Sequence, residues 1–141
     1  MKRFILFVCM AVVCLGFPIQ GHSGMMEDAQ KAAEKWMPSV DGGHYTESWQ
    51  MTSDMFKKKI SQKKWVETAE ATLEPLGPVV SRGLRAIVFT HTLPDHPDGD
   101  YMVIRFNTEF QEDSDAVETV TLVKEKDNTW KIVGYFVHYG S

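Results

Sequence analysis

Arg82, Arg105, Glu118 and His138 are charged or titratable residues set in stretches that otherwise read as buried strand. Two arrangements suit them. In one they converge as a polar cluster. In the other, Arg82 or Arg105 pairs with Glu118 in a salt bridge that fixes strand order, or the residues lie on a solvated face. Buried charges usually occur paired, which favours the structural arrangement. His91 and His138 fall near strand ends, and an imidazole titrates close enough to neutrality to act as a general base. The sequence places no second catalytic group beside either, so no residue is assigned as catalytic.

Asp95-His-Pro-Asp98-Gly-Asp100 gathers three carboxylates and an imidazole. It lacks the alternating spacing and distal glutamate of a calcium loop, and Pro97 and Gly99 suit a hairpin connection, so no metal site is expected there. No Ser-His-Asp signature, glycine-rich phosphate loop or His-Glu-x-x-His motif occurs, and no cofactor is expected. Lys57-Lys-Lys59 with Lys63-Lys64 is the one basic cluster and reads as a solvated helical face. Trp36, Tyr45, Trp49 and Trp65 fall at helical spacing on apolar faces, which marks them as core.

The elements that position these residues change period once along the chain. Up to Leu73 the apolar pattern is helical. Met26, Ala29, Ala33, Trp36 and Met37 define a first helix from Met25, which Pro38 should bend or end near Met37. A short helix follows Asp41-Gly-Gly43, and Ser53 and Ser61 are placed as N-caps of two more. Pro75-Leu-Gly-Pro78 then breaks the helical run. Strands are expected over 81–92, 100–111, 116–124 and 130–139, joined by acidic or Pro/Gly-rich turns. In the last, alternation puts Trp130, Ile132, Phe136 and His138 on one face and Val133, Tyr135, Val137 and Tyr139 on the other. Both faces are largely apolar, so this strand is expected to be covered on both sides. Helices followed by an antiparallel meander give an α+β class: N-terminal helices packed on a mainly antiparallel four-stranded sheet.

Of the 141 residues, the first 23 read as a signal peptide. Lys2 and Arg3 form its positive end, Phe4 to Phe17 is uncharged and mostly apolar, and Pro18 and small residues follow, with cleavage expected after Gly21 or Ser23. The apolar run is short for a membrane span. Both cysteines, Cys9 and Cys14, lie in it, so the remaining domain, 25–141, would have no disulfide and no thiolate site. Without Lys2 and Arg3 the 15 basic residues fall to 13 against 19 acidic, a net charge of −6. That sign argues against nucleic acid as a partner.

The helix ending in Asp41-Gly, Tyr45-x-x-x-Trp49, Phe56, Trp65, Pro75-Leu-Gly77, Ser81-Arg82, Leu93-Pro, Pro97-Asp-Gly99-x-Tyr101, Glu118-x-Val-Thr-Leu122 and Trp130-Lys-x-x-Gly134-Tyr135 occur in that order. Together they resemble a family of small secreted bacterial proteins defined as domain of unknown function number 4019, over approximately Glu27 to Tyr139. The resemblance implies a cystatin-like cone of the nuclear-transport-factor-two type, in which a curved sheet wraps helices around a pocket. Arg82, Arg105, Glu118 and His138 would be the ligand-binding residues of such a pocket. It implies no particular activity.

The expectation is a secreted or periplasmic, non-enzymatic domain that binds a small ligand or a protein. The alternative is a small lyase or isomerase with a single acid or base, for which His138 and Glu118 are the candidates. A third reading is a homodimer that uses the sheet face of Val133, Tyr135 and Val137.

Overall fold

The computed structural model describes residues 22–140, so residues 1–21, with Cys9 and Cys14, lie outside the described residues. The chain runs α1 (His22–Asp41), α2 (Tyr45–Gln50), α3 (Asp54–Lys59), α4 (Gln62–Leu73), a 3-10 turn (Glu74–Leu76), then β1 (Val79–Thr90), β2 (Tyr101–Phe110), β3 (Asp113–Lys124) and β4 (Trp130–His138). The strands form one antiparallel sheet in the order β1-β2-β3-β4, so β1 and β4 are its edges. This is the α+β arrangement that the change of period predicts.

The helices reach the sheet through narrow apolar stripes. Ala29, Ala33, Trp36, Met37 and Val40 are the buried face of α1, and Trp65, Ala69 and Leu73 that of α4. They share one core with Met102, Ile104 and Phe106 of β2 and with Val120 and Leu122 of β3. Pro38 does not end α1, which continues to Asp41. Its ring lies on the exposed side of the last turn, where the loss of one N–H is cheapest, and the Pro38 carbonyl still accepts from Gly42 N at 2.9 Å.

Both N-caps form as their sequence position requires. Ser53 accepts from the N–H of Phe56, and Ser61 from that of Lys64. Ser53 also donates its own N–H to the Ile132 carbonyl of β4 at 2.9 Å, so one residue starts a helix and docks it on the sheet edge.

Two of the register shifts on the edge strands overturn strict alternation around the polar residues. In β1 the register slips between Leu84 and Ala86, so Arg82, Leu84, Ile87 and Phe89 stand opposite Thr108, Phe106, Ile104 and Met102. In β4 it slips between the partners of Thr121 and Leu122. Trp130 and Ile132 therefore face the helices together with Tyr135 and Val137, and Phe136 turns to the outer face, 63% exposed. The expected pairing of Trp130 and Ile132 with Phe136 and His138 does not hold, because the extra residue at Val133-Gly134 resets the period. Nor is β4 covered on both sides beyond that point.

On the outer face, Tyr101, Val123 and Val133 make a small second cluster under Met55 of α3 and Leu93 of the β1–β2 loop. Val133 thus belongs to the opposite face from Tyr135 and Val137, which divides the surface considered for a dimer.

Ser53→Ala removes the cap of α3 at a buried site and is expected to lower stability by about 1 kcal/mol in urea denaturation. Ser61→Ala, at the exposed start of α4, should cost no more.

Candidate functional site

Along the helix-facing side of β3 the residues are Ala116, Glu118, Val120 and Leu122, all buried. A carboxylate in that row must find every partner within the protein, since an unpaired buried charge costs several kcal/mol. Glu118 is 1% exposed and is held by three strands. Arg82 of β1 donates from Nε to its Oε1 at 2.8 Å, and the Nη2 of the same residue lies 2.8 Å from that oxygen. Thr108 of β2 donates its hydroxyl to Oε1 at 2.6 Å. The Tyr135 hydroxyl of β4 donates to Oε2.

The outer edge of the Arg82 guanidinium faces Asp41 at the end of α1. Nη1 and Nη2 donate to the two Asp41 oxygens at 2.8 Å each, a bidentate pair. Side-chain exposure rises from Glu118 through Arg82 at 17% to Asp41 at 29%. The network thus leads from the core to a shallow groove beside Glu34, Met37 and Leu84.

Protonation states follow from these contacts. Burial, and next the adjacent Glu118 carboxylate, hold the Tyr135 phenol well above the usual tyrosine range. For Arg82, burial opposes the charge, but Asp41 and Glu118 outweigh it and raise the guanidinium above its ordinary range. Tyr135 therefore stays neutral and Arg82 charged across the physiological range.

Of the four residues proposed from the sequence, the structure brings together Arg82 and Glu118. Arg105 stands opposite Thr119 and His138 opposite Val117, all on the outer face, and both side chains are exposed. His91, also exposed, pairs instead with Asp100 at 3.0 Å. In the β1–β2 loop Lys59 donates to the Asp95 carbonyl at 2.9 Å, and no group of three or more His, Cys, Asp or Glu side chains among the described residues is placed to hold a metal ion.

Trp36, Tyr45 and Trp65 are core, as their spacing requires, whereas Trp49 is half-buried against the edge of that core. Trp36 Nε1 donates to the Ser48 carbonyl and Trp65 Nε1 to the Ser48 hydroxyl, both at 2.9 Å. Trp36 and Trp65 meet the Tyr135 ring edge-on at centroid distances of 5.5 and 6.0 Å. Glu118 beneath the Tyr135 hydroxyl is almost fully buried, and no buried side-chain nitrogen or oxygen among the described residues lacks a partner.

An open apolar groove that includes the Trp65 and Tyr135 rings lies between α4 and β4. It has a volume of about 310 Å³ and is lined by Trp65, Ala69, Thr72 and Leu73 of the helix and by Tyr135 and Val137, among others, of the strand. Phe136 and Tyr139, 63% and 45% exposed, form its rim. Tyr135 belongs to both sites, its ring in the groove wall and its hydroxyl on Glu118.

The family model described as protein of unknown function (DUF4019) matches residues 32–135, most of the chain. The protein belongs to the DUF4019 family. No curated protein matches its sequence. A solved structure of a protein from Catenulispora acidiphila is similar at 12% identity, covering 83% of this chain and 92% of that one with a TM-score of 0.48.

In this DUF4019 protein, sequence reasoning missed Asp41, Thr108 and Tyr135 as members of the cluster. Thr108 left a signal, as the one polar residue in the buried row Met102, Ile104, Phe106, Thr108, Phe110. Tyr135 was hidden by the bulge, and Asp41 by a sequence separation of 41 residues from Arg82.

Glu118→Ala leaves Arg82 with one acidic partner and a void in the sheet, and is expected to cost about 3–5 kcal/mol in denaturant unfolding. The raised phenol of Tyr135 implies a second, pH-dependent loss. In the unfolded chain Tyr135 releases its proton above about pH 10, whereas in the folded protein it retains it, so this stabilisation is complete below that pH and lost as pH rises. The melting temperature of the native protein should begin to fall near about pH 10 and keep falling as the pH rises further. Tyr135→Phe should lower it at neutral pH and flatten the alkaline fall, leaving the smaller parts from Tyr45 and Tyr101, whose phenols are raised mainly by burial.

Proposed function

We propose that this protein is an exported, non-catalytic binding domain whose binding surface is the groove between α4 and β4. The carrying observation is the apolar, open groove with the exposed rings of Phe136 and Tyr139 at its rim. Concave, mainly apolar surfaces with a few polar groups are where proteins take ligands. Thr68 and Thr72, one helical turn apart, supply hydroxyls on the α4 side.

The buried acid supports the non-catalytic reading. Glu118 accepts from Arg82, Thr108 and Tyr135, and Trp36 and Trp65 pack against the tyrosine ring. A general base needs a lone pair free to meet the substrate proton, and here the carboxylate is committed to its neighbours. The leader-like stretch Lys2 to Phe17 supports export to the periplasm or medium.

A thermal-shift screen of the purified protein against fatty acids, aromatic acids and short apolar peptides tests the reading. A ligand at about 100 times its dissociation constant should add about 2.7 kcal/mol, visible as a raised melting temperature. Thr72→Arg, which puts a charged chain into the groove from a half-buried position, is expected to abolish the shift while leaving the unliganded melting temperature nearly unchanged. A shift that survives Thr72→Arg would place the ligand elsewhere.

A further inference from the structure

Beside the groove, the free edge of β4 carries backbone groups whose direction can be deduced. The N–H of Lys124 donates to the Asp100 carbonyl at 2.9 Å, across from β3 to the β2 side. Alternation then points the ladder groups of Leu122, Val120 and Glu118 toward β2, and those of Val117, Thr119 and Thr121 toward β4. Ile132, Tyr135 and Val137 stand opposite the first set. Their N–H and C=O groups therefore point away from the sheet. The bond from Ser53 N–H to the Ile132 carbonyl, made from outside the sheet, establishes the same direction independently.

Past Ile132 that capping stops. The outward backbone groups of Tyr135 and Val137 have no hydrogen-bond partner among the described residues. Unlike the Ile132 carbonyl, they open beside the groove, whose wall contains Tyr135, Phe136 and Val137 in succession. Side chains of successive strand residues alternate between faces, so a groove touching all three reaches the backbone at the strand's edge.

We propose that the stretch Tyr135–Tyr139 accepts an extended polypeptide segment as a fifth strand, with alternate apolar side chains of the guest seated in the α4/β4 groove; this rests on the groove being the binding surface. Main-chain pairing supplies affinity in such complexes and side-chain pockets supply selectivity. The groove side chains from Thr68, Thr72, Tyr135 and Val137 are uncharged, which calls for uncharged guest residues on that side. The intervening guest residues would lie beside Phe136 on the outer face.

The length of the free edge favours a peptide over a second copy of the chain. Five residues span roughly 16 Å, and a strip of that length and about 10 Å in width covers roughly a fifth of the ~800 Å² per partner of a stable dimer. Ser53 and α3 block extension of the pairing toward Trp130.

Selection of random heptapeptides displayed on phage against the purified protein, followed by synthesis of the best binders, provides the probe. Binders with dissociation constants of about 100 µM or tighter are expected. They should slow hydrogen exchange at the Tyr135 and Val137 amides and leave the Phe136 amide, already directed to β3, unchanged. N-methylation at alternate peptide residues should weaken binding about tenfold or more, and so should Val137→Pro, which deletes one outward N–H on an edge strand. The methylated peptides keep the test decisive even where that variant fails to fold.

Peptides that quench Trp65 fluorescence but leave the two amides unprotected would overturn strand addition while the groove reading stands. A selection that yields no binder also overturns it, and a silent small-molecule screen in addition would remove the groove reading. Protection of the same amides that appears without peptide and grows with protein concentration would replace the peptide by a second copy.

Discussion

A carboxylate at the centre of a sheet sets the terms for the rest of this molecule. Glu118 sits on β3 and takes hydrogen bonds from Arg82 on β1, Thr108 on β2 and Tyr135 on β4. Arg82 in turn grips Asp41 at the end of α1. One acid thus ties all four strands and the longest helix. Its burial is tolerable only because the partners arrive together, and hydrogen bonds to an ionised group are stronger than those between neutral groups. A shift of register in either edge strand would remove Arg82 or Tyr135 and strand the charge. The partners of the cluster meet only in this strand order and register.

The two bulges make that convergence possible. The slip at Val133-Gly134 turns Tyr135 inward, where regular alternation from Ile132 would have turned it out. The slip beside Arg85 keeps Ile87 and Phe89 over the core while Arg82 still faces Thr108. Bulges concentrate at sheet edges, where they also twist a strand out of line for unwanted pairing. In β4 the bulge and the Ser53 contact leave only a short free stretch, which restricts what can pair there.

The proposed binding surface and the buried polar network meet at Tyr135. Its hydroxyl belongs to the Glu118 network, its ring packs on Trp36 and Trp65, and the same ring forms part of the groove wall. The rigid side of the groove is thus anchored in the core. Its other wall, α4, begins at the Ser61 cap and is fixed through Trp65, whose indole N–H reaches Ser48. A guest would find a preformed surface and pay little ordering cost.

Much of the architecture was legible in the sequence, because period and punctuation are local properties. The helical stripe of α1, the caps at Ser53 and Ser61, the break at Pro75–Pro78 and the four strands all follow from residues within a few positions of one another. The pairing of Arg82 with Glu118 was one of the arrangements considered, since a buried charge requires a partner. What only the tertiary structure decided was which face each edge-strand residue takes beyond its bulge. A single inserted residue reverses the alternation and leaves little trace in composition. The same holds for the choice of Arg82 over Arg105, the recruitment of Asp41 and Tyr135, and the exposure of His138. These depend on register between strands far apart in the chain, which the hydrophobic pattern of any one strand does not contain.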